Sequence, residues 1–276
     1  ALRWNMMIEP LGFRPKTINT FSAVIIGYMA NLAFPRMGEV SRCGVLVKTD
    51  NVPLNSLIGT VLVERLIDLI SLVLVLSLAI LLQFQLIIGF LNTYLFDPLI
   101  EKLASNSILL ASALLISIGG LGICWWLFTK NKEKIYQSAI AIKVINLITG
   151  IKEGFVSVQR IEKLWLFVLY SVLIWAFYFL NTYLIFSAMA PTAHLGLTAA
   201  LVILTVGSFG MTAPVQGGIG AFHWMVSEGL TLYAISKSDG LSFATISHSS
   251  QTLAILVVGA ICLVFVAGFN RKNGQA

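Results

Sequence analysis

Six charged residues interrupt two of the most apolar parts of the chain, and their types suit ion pairing or anion binding. They form two triplets: Arg36, Glu39 and Arg42 in FPRMGEVSR, and Glu64, Arg65 and Asp68 in GTVLVERLIDLISLVLVL. An arginine offers a planar fork of donors to a carboxylate or a phosphate. A charged side chain at the centre of a membrane costs roughly 3 kcal/mol on insertion scales. Each of these side chains therefore needs a partner or water.

The spacing within the second triplet predicts local pairing on a helix. Glu64 and Asp68 share a helical face at i,i+4, and Arg65 can pair with Asp68 at i,i+3. One carboxylate then remains for an arginine of the first triplet, Arg36 or Arg42. Two interpretations stay open: an ion-pair network that only fixes the fold, or a polar cavity in which an arginine binds an anionic headgroup.

A second polar group surrounds the glycine-rich stretch APVQGGIGAF. Gln216 and His223 are its candidate cavity residues, and His223 is either a proton carrier or a hydrogen-bonded packing residue. Proline removes a donor and glycine removes a side chain, so both residue types favour breaks between helices. The predicted structural residues of the two breaks are Pro35, Gly38, Pro214, Gly217, Gly218 and Gly220. Polar residues that could extend the cavity lining, or make ordinary interhelical hydrogen bonds, are Tyr178, Asn181, Ser247, His248, Ser249, Ser250 and Gln251.

Composition indicates the class of protein that must position these residues. Of the 276 residues, 58% are hydrophobic and 11% are charged, against about 25% charged in a soluble domain. The apolar runs are continuous rather than alternating, which excludes a β-barrel. The net charge of +6 is spread between apolar runs, so a nucleic-acid partner is not indicated. The sequence predicts an all-α polytopic membrane protein.

The predicted organisation is a single membrane domain over residues 1–276. It comprises a first hairpin 17–53, spans 57–84 and 107–128, a loop 129–163, a span 164–190, a second hairpin 195–235 and a span 241–269. Lysines and arginines crowd the loop 129–163, which the positive-inside rule places in the cytoplasm together with the C-terminus. The N-terminal residues lack the features of a signal peptide, and we expect further spans of a parent protein before them.

Charge counting predicts that both hairpins re-enter the membrane from opposite sides. Basic residues lie on both sides of the run 17–34, so a full crossing would leave one set outside. The segment 195–235 must leave the outer face and return to it, either as a re-entrant hairpin or as two full crossings joined by a short inner loop. Two oppositely oriented hairpins, each leading into a span, are typical of an inverted repeat with a substrate site near the midplane.

Signals for enzymatic chemistry are weak. The sequence contains no P-loop, G-x-S-x-G or H-E-x-x-H motif, and the scattered cysteines show no metal-ligand spacing. We therefore assign no catalytic residue, no metal and no cofactor, and we expect a transporter rather than an enzyme.

The chain resembles the transmembrane domain of the lysylphosphatidylglycerol synthase/flippase family. NLAFPRMGEVSRCGVL, GTVLVERLIDL and PVQGGIGAFHW carry the resemblance. It implies an integral inner-membrane protein of a prokaryote with two re-entrant helices, which moves an anionic or aminoacylated phospholipid, or a lipid-linked sugar, between leaflets. His223 stands where family members often have an acidic residue, and a Pro-x-Pro-Gly-Gly turn is replaced by Pro214-Val215-Gln216-Gly217. The aminoacyl-transfer domain of bifunctional members is absent from this sequence.

Three hypotheses for function follow. The leading one is a lipid flippase that binds a phospholipid or a lipid-linked sugar. The second is a membrane glycosyltransferase that uses a polyprenyl-phosphate sugar, with Glu39 or Asp68 as general base. The third is a non-catalytic membrane partner protein. A second copy of the chain and a separate lipid-modifying enzyme are the candidate protein partners.

Overall fold

The computed structural model describes residues 1–98, 100–101 and 160–272, and within these ranges the chain is helical, with no strand. The chain divides into a larger unit, Ala1–Leu82 with Gly150–Ala276, and a smaller unit, Gln83–Thr149. The predicted span 107–128 and nearly all of the loop 129–163 lie outside the described residues. The helices are α1 (Leu2–Ile8), α2 (Thr17–Ala33), α3 (Met37–Asp50), α4 (Leu54–Leu82), α5 (Phe84–Leu91), α6 (Leu164–Phe186), α7 (Leu197–Thr212), α8 (Ala221–Thr231) and α9 (Lys237–Lys272). The helix α5, followed by a π-helical turn Asn92–Phe96, belongs to the smaller unit.

Three of the described helices are long and apolar enough to cross a membrane: Leu54–Leu82, Leu164–Phe186 and Lys237–Gly268. The 29 residues of α4 extend about 43 Å at the usual helical rise, more than the roughly 30 Å hydrocarbon core of a bilayer. Large apolar side chains remain exposed on these helices, such as Leu81 at 80% and Val264 at 75%. Lipid is the environment that suits such surfaces. The prediction of an all-α membrane protein is confirmed, and the re-entrant position of the hairpins stays a prediction.

The first hairpin is formed by α2 and α3, and a proline separates them. Proline disfavours a helical conformation in the residue before it, and Phe34 is extended, at φ −138° and ψ 130°. Arg36 then adopts a left-handed conformation, at φ 61°, before α3 begins. A Cβ atom on Gly38 would collide with the carbonyl oxygen of Gly27. The two helices therefore approach closely where both carry glycine.

An aspartate closes the other end of this hairpin. The carboxylate of Asp50, at the end of α3, accepts hydrogen bonds from the backbone N–H of Lys16 (3.0 Å) and the side chain of Asn19 (3.0 Å). These donors lie at the start of α2, where backbone N–H groups lack intrahelical partners. The negative charge also suits the positive end of the helix dipole.

The second hairpin is formed by α7 and α8, and residues 213–220 separate them. This break contains Pro214 and a short 3-10 turn, Gln216–Gly218. Gly217, at φ 55°, has a backbone conformation that favours glycine. Gly210 allows α7 to lie against α8, because a Cβ atom there would stand 2.7 Å from the Cα of Phe222.

Buried apolar side chains join the helices of the larger unit. One cluster lies among α6, α7, α8 and α9, and includes Phe186, Ile203, Leu230 and Phe243. A second lies among α1, α2, α3 and α4. Its buried members are Trp4, Ile8, Ala23, Cys43, Leu46, Val52, Leu57 and Val61. The two clusters hold α4 beside the first hairpin and α9 beside the second.

Candidate functional site

A buried glutamate lies at the centre of a network of ion pairs. Glu64 of α4 accepts a bidentate contact from Arg42 of α3, with Nη2–Oε2 at 3.0 Å and Nη1–Oε1 at 3.4 Å. The Arg3 guanidinium of α1 reaches the same carboxylate at 3.2 Å. Glu64, Arg3 and Arg42 are 6%, 5% and 7% exposed. Such burial is tolerated only when each charge is paired.

Asp68 and Arg65 extend this network by one turn of α4. The Nη2 atom of Arg65 lies 2.9 Å from Glu64 Oε1 and 2.8 Å from Asp68 Oδ2. Arg3 also contacts Asp68, at 2.7 Å. The Arg65 side chain is 47% exposed, against 6% for Arg3. Arg65 is therefore the accessible cation of the network, and its Nε and Nη1 atoms take no part in these ion pairs.

An aromatic residue supports the buried arginines. The indole of Trp4 donates to the Thr60 hydroxyl at 2.9 Å, one turn before Glu64 on α4. The Arg42 guanidinium lies 4.4 Å from the centroid of the Trp4 ring, a cation–π distance. Burial opposes the charge on Arg3, but the carboxylates of Glu64 and Asp68 outweigh it and raise the pKa of Arg3. Arg3 therefore stays charged.

The network forms one wall of a cavity of about 570 Å³. All five charged side chains line it. The remaining walls come from α2, α6, α7, α8 and α9. They carry neutral polar groups and aromatic rings, among them Trp175, Tyr178, Asn181, Ser208, Ser247 and Gln251. The cavity therefore has a charged side and a neutral polar side, and its size suits a small polar headgroup.

A second cavity, of about 610 Å³, lies among α4, α6 and α7. Its lining is almost entirely apolar, and includes Ile67, Leu74, Val172 and Leu201. Trp175 and Leu204 line both cavities. An apolar compartment thus adjoins a charged one, which is the arrangement that an amphipathic molecule requires.

The tips of the two hairpins contact each other and α9. The Gln216 side chain donates to the carbonyl oxygen of Ala33 at 3.2 Å, linking the second break to the first. His248 of α9 lies 2.8 Å from the carbonyl oxygen of Gly217. The rings of His223 and His248 are 5.0 Å apart. Hydrogen bonds therefore hold the second tip.

The structure brings four of the eight predicted cavity residues into one network: Arg42, Glu64, Arg65 and Asp68. Arg36 is exposed at the first break and Glu39 is half-buried beside it, and neither lines the charged cavity. Gln216 and His223 lie at the second tip, outside this cavity. Their role in binding stays a prediction.

Sequence reasoning missed two residues of the site, Arg3 and Trp4. In the sequence, Arg3 is one of the basic residues that precede the first hairpin, and nothing there relates it to Glu64. The sequence does contain a feature that could identify them, because the segment LRWNMMI places the arginine and the tryptophan within an apolar helix. Of the polar residues predicted as a further lining, Tyr178, Asn181, Ser247 and Gln251 line the cavity.

A family model matches residues 1–259, and its description is lysylphosphatidylglycerol synthase TM region. The chain belongs to this family. The match covers both hairpins, the five-residue charged network and most of α9, and it confirms the resemblance found from the sequence motifs. No curated protein and no solved structure matches the chain. The function of this member of the lysylphosphatidylglycerol synthase transmembrane-region family is therefore inferred from its own geometry.

Proposed function

We propose that the protein moves an anionic or aminoacylated phospholipid, or a lipid-linked sugar, between membrane leaflets. The observation that carries this proposal is the pair of adjoining cavities, one lined by charged residues and the other apolar. A headgroup in the first cavity would contact Arg65, while an acyl chain in the second would stay in apolar surroundings. Each half of the lipid then keeps an environment close to the one it has in a bilayer.

Arginine pairing explains how the cavity would lower the barrier to headgroup movement. A bare charge in hydrocarbon is costly, and a charge-assisted hydrogen bond offsets part of that cost. Arg65 can supply such bonds through Nε and Nη1 while Nη2 holds Glu64 and Asp68. Arg3 and Arg42 are buried behind it and add positive potential. The arginines are therefore positioned before a ligand arrives.

Helix lengths favour re-entrant hairpins over full crossings. The four hairpin helices α2, α3, α7 and α8 have 17, 14, 16 and 11 residues. At the usual helical rise these correspond to about 17 to 26 Å, short of the roughly 30 Å hydrocarbon core. The contact between Gln216 and Ala33 agrees with tips that meet inside the membrane. We place the protein in the inner membrane of a prokaryote, with the loop 129–163 and the C-terminus in the cytoplasm.

Leaflet exchange in vesicles tests the proposal. Purified protein is reconstituted into vesicles with phosphatidylglycerol that carries a fluorophore on one acyl chain. A reductant that cannot cross the membrane then bleaches the fluorophore in the outer leaflet. We expect the protein to accelerate bleaching of the inner leaflet. Arg65→Gln should slow it by about tenfold, the effect of losing one charge-assisted hydrogen bond.

Arg14→Gln is the matched control, because Arg14 is exposed in the segment before α2 and does not line either cavity. It should exchange lipid at the rate of the unchanged protein. Thermal unfolding in detergent checks that both variants are folded. Exchange no faster than in protein-free vesicles would contradict the proposal.

A further inference from the structure

The charge balance of the cavity limits which headgroups it can accept. Three guanidinium groups face two carboxylates, so the charged side chains of the lining carry a net charge of +1. A lipid phosphodiester carries a single negative charge and would neutralise this excess. Matched charge favours binding of the right partner and opposes the wrong one.

A headgroup with an ammonium group would meet only carboxylates that guanidinium groups already neutralise in this cavity. Glu64 contacts three arginines, and Asp68 contacts Arg3 and Arg65. An ammonium near these carboxylates would also stand near the guanidinium groups that already neutralise them. The repulsion between like charges would offset any gain.

The neutral part of the cavity lining suits hydroxyl groups. The Gln251 side chain donates to Asn181 Oδ1 at 3.3 Å, an amide pair that leaves Asn181 Nδ2 as a donor and Gln251 Oε1 as an acceptor. The Ser208 hydroxyl donates to the Leu204 carbonyl at 2.7 Å and keeps its lone pairs for a ligand. Neutral amides and hydroxyls pair with the hydroxyls of a polyol without requiring a charge.

Aromatic rings belong to the same neutral part of the lining. Trp175 and Tyr178 of α6 pack edge to face, with ring centroids 6.0 Å apart, and both line the cavity. Rings with a polar edge provide an apolar surface and a hydrogen-bonding group together. Such surfaces suit the C–H faces of a glycerol, inositol or sugar headgroup.

We infer that the cavity selects a phosphodiester lipid whose headgroup carries neutral hydroxyl groups, and that it discriminates against an aminoacylated headgroup. The phosphodiester contacts Arg65, and the hydroxyls contact the Asn181–Gln251 pair. This inference rests on the proposed function, because it narrows the range of lipids that the protein moves.

Four lipids with identical acyl chains separate the contributions. Phosphatidylmethanol has the phosphodiester alone, phosphatidylglycerol and phosphatidylinositol add hydroxyls, and lysylphosphatidylglycerol adds ammonium groups. Native mass spectrometry of the full chain in detergent measures the binding of each. We expect phosphatidylglycerol and phosphatidylinositol to bind about tenfold more tightly than phosphatidylmethanol. Lysylphosphatidylglycerol should bind at least about tenfold more weakly than phosphatidylglycerol.

Gln251→Leu removes half of the amide pair, and it should reduce phosphatidylglycerol binding to the level of phosphatidylmethanol without changing phosphatidylmethanol itself. Thr245→Val is the matched control, since it makes a polar-to-apolar change on the same helix outside the cavity. It should preserve the preference. The comparison of lipids on the unchanged protein does not depend on the folding of any variant.

The outcomes distinguish this inference from the proposed function. The inference is overturned if phosphatidylmethanol and phosphatidylglycerol bind equally, or if lysylphosphatidylglycerol binds more tightly than phosphatidylglycerol. The proposed function still holds in that case if the protein accelerates leaflet exchange. Absence of binding for all four lipids, together with absence of leaflet exchange, overturns both.

Discussion

The two hairpins have the same plan, but the contacts near their breaks differ. The first joins α2 and α3 through Pro35, and a buried arginine of α3, Arg42, fixes it to Glu64 of α4. The second joins α7 and α8 through Pro214 and a glycine-rich break. Hydrogen bonds hold its tip, including the one between His248 and the Gly217 carbonyl, and an ion pair between Glu228 of α8 and Lys237 of α9 (2.7 Å) lies farther from the break.

This difference in contacts predicts that mutations in the ion-pair network reduce stability more than mutations at the second tip. Removing one partner of a buried ion pair costs about 3 to 5 kcal/mol, because the other charge is left uncompensated. A neutral hydrogen bond contributes only about 1 kcal/mol. We therefore interpret the first hairpin as the fixed wall of the charged cavity. The tip of the second hairpin, residues 213–220, is held more weakly, and it can separate from Ala33 at lower cost.

The largest effect is expected for Glu64→Gln. Arg42 would then lose its carboxylate partner, and Arg3 and Arg65 would keep only Asp68. We expect a loss of about 3 to 5 kcal/mol in the free energy of unfolding. Titration with a denaturing detergent, followed by tryptophan fluorescence, measures it. Glu9→Gln is the control, because Glu9 is exposed. A loss no larger for Glu64→Gln than for Glu9→Gln would contradict the view that charge fixes the first hairpin.

A smaller effect is expected for Gly38→Ala. The added Cβ atom would collide with the Gly27 carbonyl and the Asn31 side chain, and overpacking of this kind costs about 1 to 3 kcal/mol. Gly44→Ala is the matched control on the same helix, where a Cβ atom has open space. The control should be neutral or slightly stabilising, since alanine favours helix. The same titration compares them, and equal stability of the two variants would argue against close helix contact at Gly38.

The smallest effect is expected in the second hairpin, for Gly217→Ala. Its φ of 55° costs a residue with a Cβ atom about 1 to 2 kcal/mol, and the atom would also lie 2.8 Å from Leu32 Cδ2. Gly196→Ala is the control, with open space and φ −90°. Hydrogen exchange of the 213–220 break should increase in Gly217→Ala and remain unchanged in Gly196→Ala. A loss of stability as large as that of Glu64→Gln would remove the distinction between the hairpins.

Local spacing predicted the part of the site that lies on one helix. Arg65 and Asp68 pair at i,i+3 as expected, and Arg42 is the arginine of the first triplet that supplies the remaining contact to Glu64. The sequence also predicts the helices and their breaks, because proline and glycine act on their immediate neighbours.

The sequence does not predict contacts between distant segments in the same way. Arg3 lies 61 residues before Glu64, and no local pattern relates the two. Arg36 matches Arg42 in type and stands closer to the predicted tip, yet its left-handed backbone places it in the exposed turn. Only the packing of α1, α3 and α4 decides which arginine reaches the carboxylate.

Lipid transport by this protein requires that a lipid headgroup occupies the cavity beside Arg65. Phosphatidylglycerol with a photoactivatable group on its headgroup tests this claim most directly, with the labelled peptides identified by mass spectrometry. We predict labelling of the cavity wall, near Asn181 of α6 and Gln251 of α9, and its loss in Arg65→Gln but not in Arg14→Gln. Labelling confined to lipid-exposed positions such as Val264, or unchanged in Arg65→Gln, would contradict the account.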